Sequence, residues 1–126
     1  MQQKVTGLAR FYYATCYSIK GLKAAYKHEP AFRYETYGAL VLIPAAFFVA
    51  QSGMQLAALI ASCLLVLVME LVNSAIEAVV DRAGTEFHEL AGRAKDLGSA
   101  AVFVCLFIVA VAWGGIVWDN YSGLLQ

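Results

Sequence analysis

Residues 70–82 of the 126-residue sequence read ELVNSAIEAVVDR, and within them Glu70, Asn73, Ser74, Glu77 and Asp81 fall at i, i+3, i+4, i+7 and i+11. On an α-helix, at about 100° per residue, these five side chains share one face, so the spacing predicts a polar stripe along an otherwise apolar helix. A carboxylate at mid-membrane costs roughly 2.5–3.5 kcal/mol on insertion scales. Contacts between helices come more cheaply from Gly, Ala and Ser. Asn73 and Ser74 suit such contacts, whereas two buried glutamates suit them poorly and are read as chemistry. If the helix leaves the membrane near Asp81, Glu77 lies one turn inside and Glu70 about 10 Å deeper by helical rise. Glu77 then meets a hydrated cation, and Glu70 meets something apolar, where it can act as general base toward a hydroxyl.

The segment TEFHELAGRAKDLGS, residues 85–99, supplies complementary charge. Arg93 and Lys95 can clamp anionic oxygens, with Glu86, His88 and Asp96 beside them. The blander reading is a solvated connection. No GxxxxGK[ST] loop occurs and no Gly-rich loop follows a strand, which excludes a soluble-type nucleotide fold. His28 and His88 stand apart and read as surface residues rather than metal ligands. Cys16, Cys63 and Cys105 form an odd set without CxxC spacing, so free thiols are expected rather than a disulfide framework or a zinc site.

The elements that must position these groups follow from the composition. Hydrophobic residues make up 61% of the chain and charged residues 14%, against roughly 45–50% and 25% in an ordinary soluble domain, so the chain reads as a single integral membrane domain over residues 1–126. Nine basic residues balance nine acidic ones, so no net field draws the molecule to nucleic acid. The N-terminus lacks the basic-then-apolar pattern of a secretory signal and is read as uncleaved.

Residues 1–35 hold six cations (Lys4, Arg10, Lys20, Lys23, Lys27 and Arg33) against Glu29 and Glu35, six minus two, or +4. Lys20, Lys23 and Lys27 recur at i, i+3, i+7, with Ile19, Leu22 and Tyr26 one position earlier, which suits an amphipathic helix on the membrane surface. Residues 36–69 carry no charge. As one straight helix they would run about 51 Å, past a hydrocarbon core of about 30 Å, so the chain must fold back at QSGMQ, residues 51–55. Three spans are predicted, over residues 37–51, 55–80 and 97–118, with a charge-dense cytoplasmic loop at 81–96. The remaining cations, Arg82, Arg93 and Lys95, then share one side with the N-terminal six, and by the positive-inside rule that side is the cytoplasm.

ELVNSAIEAVVDR followed by HELAGRAKDLGSAAV closely resembles the signature of the small prokaryotic integral-membrane diacylglycerol kinases, and the likeness extends back through YSIKGLKAAYKHEPAFRYE. The resemblance implies an ATP-dependent kinase that converts diacylglycerol to phosphatidic acid, built as a homotrimeric all-α bundle of three-span subunits in the bacterial inner membrane. It implies Glu70 as catalytic base, and Glu29 with Glu77 as carboxylates for the Mg²⁺ that accompanies ATP. Arg10, Tyr17, Glu86, Phe87, His88, Lys95 and Asp96 match positions around the nucleotide. Lipid contacts are implied for Arg10, Tyr17, Ser18, Lys23, Tyr26, Ala31, Phe32, Arg33 and Glu35. Glu70, Ser99, Trp113 and Trp118 complete that set, and Asn73, Ser74 and Asp81 remain supporting polar residues.

Phosphoryl transfer asks mainly for positioning and charge neutralisation, so a short chain can supply it. The nearest rival is an undecaprenol kinase of the same superfamily, identical in chemistry and different in lipid. A rival of another class is a small ion-coupled transporter relaying protons through Glu70 and Glu77, but no charged partner on the other spans continues such a path.

Overall fold

The computed structural model describes residues 6–84 and 88–125. Among them the chain forms α1 (Leu8–His28), α2 (Pro30–Val49), α3 (Gly53–Ala83) and α4 (Glu89–Tyr121), closed by a 3₁₀ turn at Ser122–Leu125, with no strand. The all-helical architecture is thus as the hydropathy pattern predicts. The charge-dense segment is largely helical: residues 81–83 end α3, residues 89–96 open α4, and Gly84, at φ 158°, ends the first of these helices. Glu86 and Phe87 lie outside the described residues.

The α1–α2 corner is made by Pro30. A proline disfavours helical geometry at the residue before it, and Glu29 is accordingly extended, at φ −115° and ψ 99°, with Pro30 as the first residue of α2. The corner is tied by Arg33, whose Nη1 donates to the carbonyls of Tyr26 (2.9 Å) and Lys27 (3.1 Å) in the last turn of α1. Those carbonyls have no helical donor of their own, so the guanidinium serves as the cap. Tyr26 and Tyr37 also join hydroxyls across the corner at 2.8 Å.

At the opposite end, Ser52 caps α3 by accepting from Gln55 N at 3.2 Å, while Gln55 Oε1 accepts from Gln51 N at 2.9 Å. This is a reciprocal Ser-x-x-Gln cap displaced by one residue. The end of α4 seals the turn. Asn120 Nδ2 donates to Val49 O and to Gln55 Oε1, both at 2.8 Å, and Gln55 Nε2 returns a bond to Asn120 Oδ1 at 3.1 Å.

α3 lies between α2 and α4. From α2 it receives Phe32, Ala39 and Ala46, seven residues apart; from α4 it receives Gly98, Val102 and Cys105. Its own buried face runs Leu59, Ser62, Cys63, Val66, Glu70 and Asn73. Half of these residues are Gly, Ala, Ser or Cys, which lets helices approach closely without a large apolar core. The large apolar side chains point outward instead: Phe48 is 86% exposed and Val111 73%. Apolar exposure on this scale suits lipid and not water. α3 and the stretch Glu89–Leu125 are each long and apolar enough to cross a membrane. α2 carries Arg33 and Glu35 in its first two turns, so its uncharged part is residues 36–49, about 21 Å of helix.

Asn120→Ala removes all three bonds of the amide seal. It is expected to lower the unfolding free energy in detergent micelles by about 1–2 kcal/mol, with turnover unaffected. An unchanged thermal midpoint would mean that helix packing alone holds the turn.

Candidate active site

The stripe predicted on residues 70–81 is present on α3, and its burial is graded. Glu70 is 6% exposed and Asn73 7%, Ser74 and Glu77 are half-buried, and Asp81 is exposed. One end of the stripe therefore faces the helix interface and the other opens beyond it. Glu70 on α3 neighbours Glu35 of α2, close enough for each carboxyl group to act on the other. Among the described residues neither has a cationic partner, and Glu35 Oε2 is buried without a hydrogen bond. A pair of carboxyls facing each other is poor glue, since like charges repel and nothing offsets the loss of water.

One turn beyond Glu70, Asn73 Nδ2 donates to Glu77 Oε1 at 3.4 Å. A further group comes from the corner. Glu29 is half-buried and lines a groove of about 570 Å³ between α1 and α3, together with Ser18, Ala25, His28 and Ser74. Its side chain makes no cap bond to α2, so its oxygens are uncommitted within the helix start. The charges of Glu77 and Glu29 both act on Glu70, although Glu29 is 41 residues from it in sequence (70 minus 29).

Lys95, two turns into α4, reaches Asp81 at the end of α3 with Nζ 2.7 Å from Oδ1. The Asp81 carboxylate holds the Lys95 ammonium above its ordinary pKa, so the cation is permanent at neutral pH. Arg93 pairs with Glu89 on its own helix at 3.5 Å, and Asp96 is exposed. His88 is the N-cap of α4, its Nδ1 accepting from Leu90 N at 3.1 Å. That bond requires the lone pair on Nδ1 and leaves Nε2 as the donor.

The other residues named from sequence divide in two. Tyr17, Ser18, Lys23 and Tyr26 lie on α1, with Ser18 in the groove beside Glu29 and Lys23 in a second one beside Phe32 and Leu67; Arg10 is exposed near the start of that helix. Phe32 is a core residue, Ala31 is exposed, and Ser99 is exposed on α4 just past Gly98. Trp113 and Trp118 are not gathered with these. They lie 14 and 19 residues beyond Ser99 (113 minus 99 and 118 minus 99), at about 21 Å and 28 Å along α4, near the amide seal.

Glu29 and Glu77 are half-buried carboxylates whose oxygens could serve a divalent cation. No group of three His, Cys, Asp or Glu forms a cage among the described residues. A pair of carboxylates is the provision Mg²⁺ normally takes when phosphates and water complete its six positions.

These features define an all-helical membrane protein with carboxylates set into its apolar layer. The chain belongs to the prokaryotic diacylglycerol kinase family, whose model matches residues 16–117. It is 53% identical to the diacylglycerol kinase of Haemophilus influenzae over 115 residues, 91% of this chain and 98% of the relative. It is 43% identical to that of Escherichia coli over 122 residues, 97% of this chain and 100% of the relative. The diacylglycerol kinase of Pseudomonas aeruginosa is 50% identical over 112 residues, 89% of this chain and 91% of the relative.

Arg33 had been named only as a lipid contact; its observed role as the corner cap has its own consequence. Arg33→Met is expected to accelerate amide hydrogen exchange across residues 24–29 about tenfold, the equivalent of ~1.4 kcal/mol for bonds to a charged donor. Unaltered exchange would assign the corner to Pro30 alone.

Proposed function

We propose that this protein, a kinase by family, phosphorylates diacylglycerol to phosphatidic acid with Mg-ATP at the cytoplasmic face of the bacterial inner membrane. The observation that carries this reading is Glu70: a carboxylate nearly removed from solvent, without a cation among the described residues, two turns from Glu77 on the same helical face and within a family whose named members are diacylglycerol kinases. Glu70 takes the proton from the primary hydroxyl of the lipid. The lipid oxygen forms its bond to the γ-phosphorus as the bond to the β,γ-bridging oxygen breaks, and ADP leaves. Glu29 and Glu77 would hold Mg²⁺, which would supply neutralisation of the phosphate charge. Lys95 meets the phosphates as a point charge, held in place by Asp81.

Around the nucleotide the reading assigns Arg10, Tyr17, Glu86, Phe87, His88 and Asp96. The lipid takes Ser18, Lys23, Tyr26, Ala31, Phe32, Arg33, Glu35 and Ser99, with Trp113 and Trp118 along its chains. Asn73, Ser74 and Asp81 support the carboxylates. In the membrane, residues 1–35 form the interfacial zone and residues 37–51, 55–80 and 97–118 the spans of one domain, with 81–96 between the last two. The N-terminus is cytoplasmic, because Lys20, Lys23, Lys27, Arg82, Arg93 and Lys95 then share that side. Three such subunits make a homotrimer, in which further faces of the exposed apolar helices are covered.

In mixed micelles, Glu70→Gln is expected to lower kcat for ATP-dependent diacylglycerol phosphorylation by about 10³-fold, the range for loss of a general base, with the KM for Mg-ATP little changed. Near-wild-type turnover would remove Glu70 from that role. Undecaprenol offered beside diacylglycerol is expected to be the poorer substrate.

A further inference from the structure

Ten glycines occur in the chain, and a β-carbon built on nine of them meets nothing within 4 Å. Gly98 is the exception. A β-carbon there would overlap Asn73 Oδ1 and lie 3.4 Å from Asn73 Cγ and 3.7 Å from Asn73 Cα, so the side chain of α3 occupies the space that any larger residue of α4 would need.

The orientation of that carboxamide is determined by its neighbours. Asn73 Nδ2 donates to Glu77 Oε1 at 3.4 Å, so the NH₂ end of the carboxamide faces Glu77. The carbonyl end is then directed at Gly98, where Oδ1 is buried and without a hydrogen-bond donor among the described residues. Only a residue without a side chain leaves room for an oxygen there. α3 is a continuous helix through Asn73, so its backbone cannot retreat locally, and a methyl group at Gly98 must turn the carboxamide and draw Nδ2 from Glu77.

We propose that Gly98 is a positioning residue for the reaction: the gap at its Cα holds Asn73 in the orientation that donates to Glu77 and so sets that carboxylate for the metal. This rests on the reading of Glu77 as a carboxylate for Mg²⁺. The chain of effect is Gly98 to Asn73 to Glu77; Asn73 also neighbours Glu70, so the readout is metal binding and not turnover. Outer partners that orient a metal ligand typically change affinity or activity 10–100-fold when lost. Gly98 is therefore distinguished from Ser99 beside it, whose assignment is to the lipid.

The test is direct binding of Mn²⁺, a paramagnetic substitute for Mg²⁺, with a non-hydrolysable ATP analogue. It is measured by electron paramagnetic resonance on the detergent-solubilised full chain, so that no turnover is needed. Gly98→Ala is expected to weaken Mn²⁺ binding roughly 10-fold, Asn73→Ala to weaken it comparably, and the double variant to add less than about twofold to Asn73→Ala. The KM for diacylglycerol in Gly98→Ala should stay within about twofold of wild type. Wild-type Mn²⁺ binding in Gly98→Ala, or single effects that multiply in the double variant, would overturn the proposal. Glu77→Gln separates the two readings: if it weakens Mn²⁺ binding while Gly98→Ala does not, only the role of Gly98 fails. If Glu77→Gln binds Mn²⁺ normally, the metal role of Glu77 fails, and that of Gly98 with it. Should Gly98→Ala not fold, recovery of folded protein in Gly98→Ala/Asn73→Ala supports the overlap with the carboxamide, and no recovery assigns Gly98 to helix spacing instead.

Discussion

A carboxylate placed within an apolar helix carries a desolvation cost of several kcal/mol, and here it is not offset by a cation. Glu70 is the residue in question, and the architecture around it follows from that constraint. α2 and α4 cover the polar face of α3, so that the carboxylate faces protein and not hydrocarbon. The covering residues are small at the closest approaches, Ala39 and Ala46 on one side and Gly98 on the other. Such packing yields little hydrophobic stabilisation per residue, which leaves the two ends of the bundle to fix its geometry.

Those ends use different physics. At the turn between α2 and α3, neutral amides pair with one another and with backbone carbonyls, a set that tolerates a low dielectric because every bond is satisfied within the chain. At the other end charge does the holding, through Arg33 on the carbonyls of α1 and Lys95 on Asp81. An exposed ion pair such as Lys95–Asp81 contributes little stability in water, roughly 0–1 kcal/mol. The value of both contacts is positional: the first brings Glu29 to the groove facing α3, and the second brings a permanent cation to the mouth of the carboxylate stripe. Polarity thus increases along α3 from Glu70 toward Asp81, in the order a lipid hydroxyl, a metal-bound phosphate and bulk water would require.

Much of this was legible in the residues. The stripe on α3 follows from a 3.6-residue period, because every member lies within three turns of one helix. The fold-back at residues 51–55 followed from length alone, and the corner at Pro30 follows from the absent N–H and crowded ring of proline, although the segment reading ran residues 1–35 together across it. Pairings over long separations were not legible. Nothing in the local sequence says that Asn120 meets Gln55, 65 residues away, or that Gly98 faces Asn73. Each is a single polar or small residue whose partner is chosen by the crossing of two helices, a quantity periodicity does not contain. The capping duties of Arg33 and His88 were not legible for a related reason. Their side chains satisfy helix ends, a local duty visible only once the helix boundaries are known.

That Glu70 is buried for its chemistry and not for the fold is tested most directly by equilibrium unfolding of Glu70→Leu beside wild type, in the same mixed micelles. Removing an uncompensated buried carboxyl that faces Glu35 should leave the unfolding free energy unchanged or raise it by about 1 kcal/mol or more, in a protein that no longer transfers phosphate. A loss of more than about 2 kcal/mol of stability would place Glu70 among the residues that hold the bundle together and contradict the account.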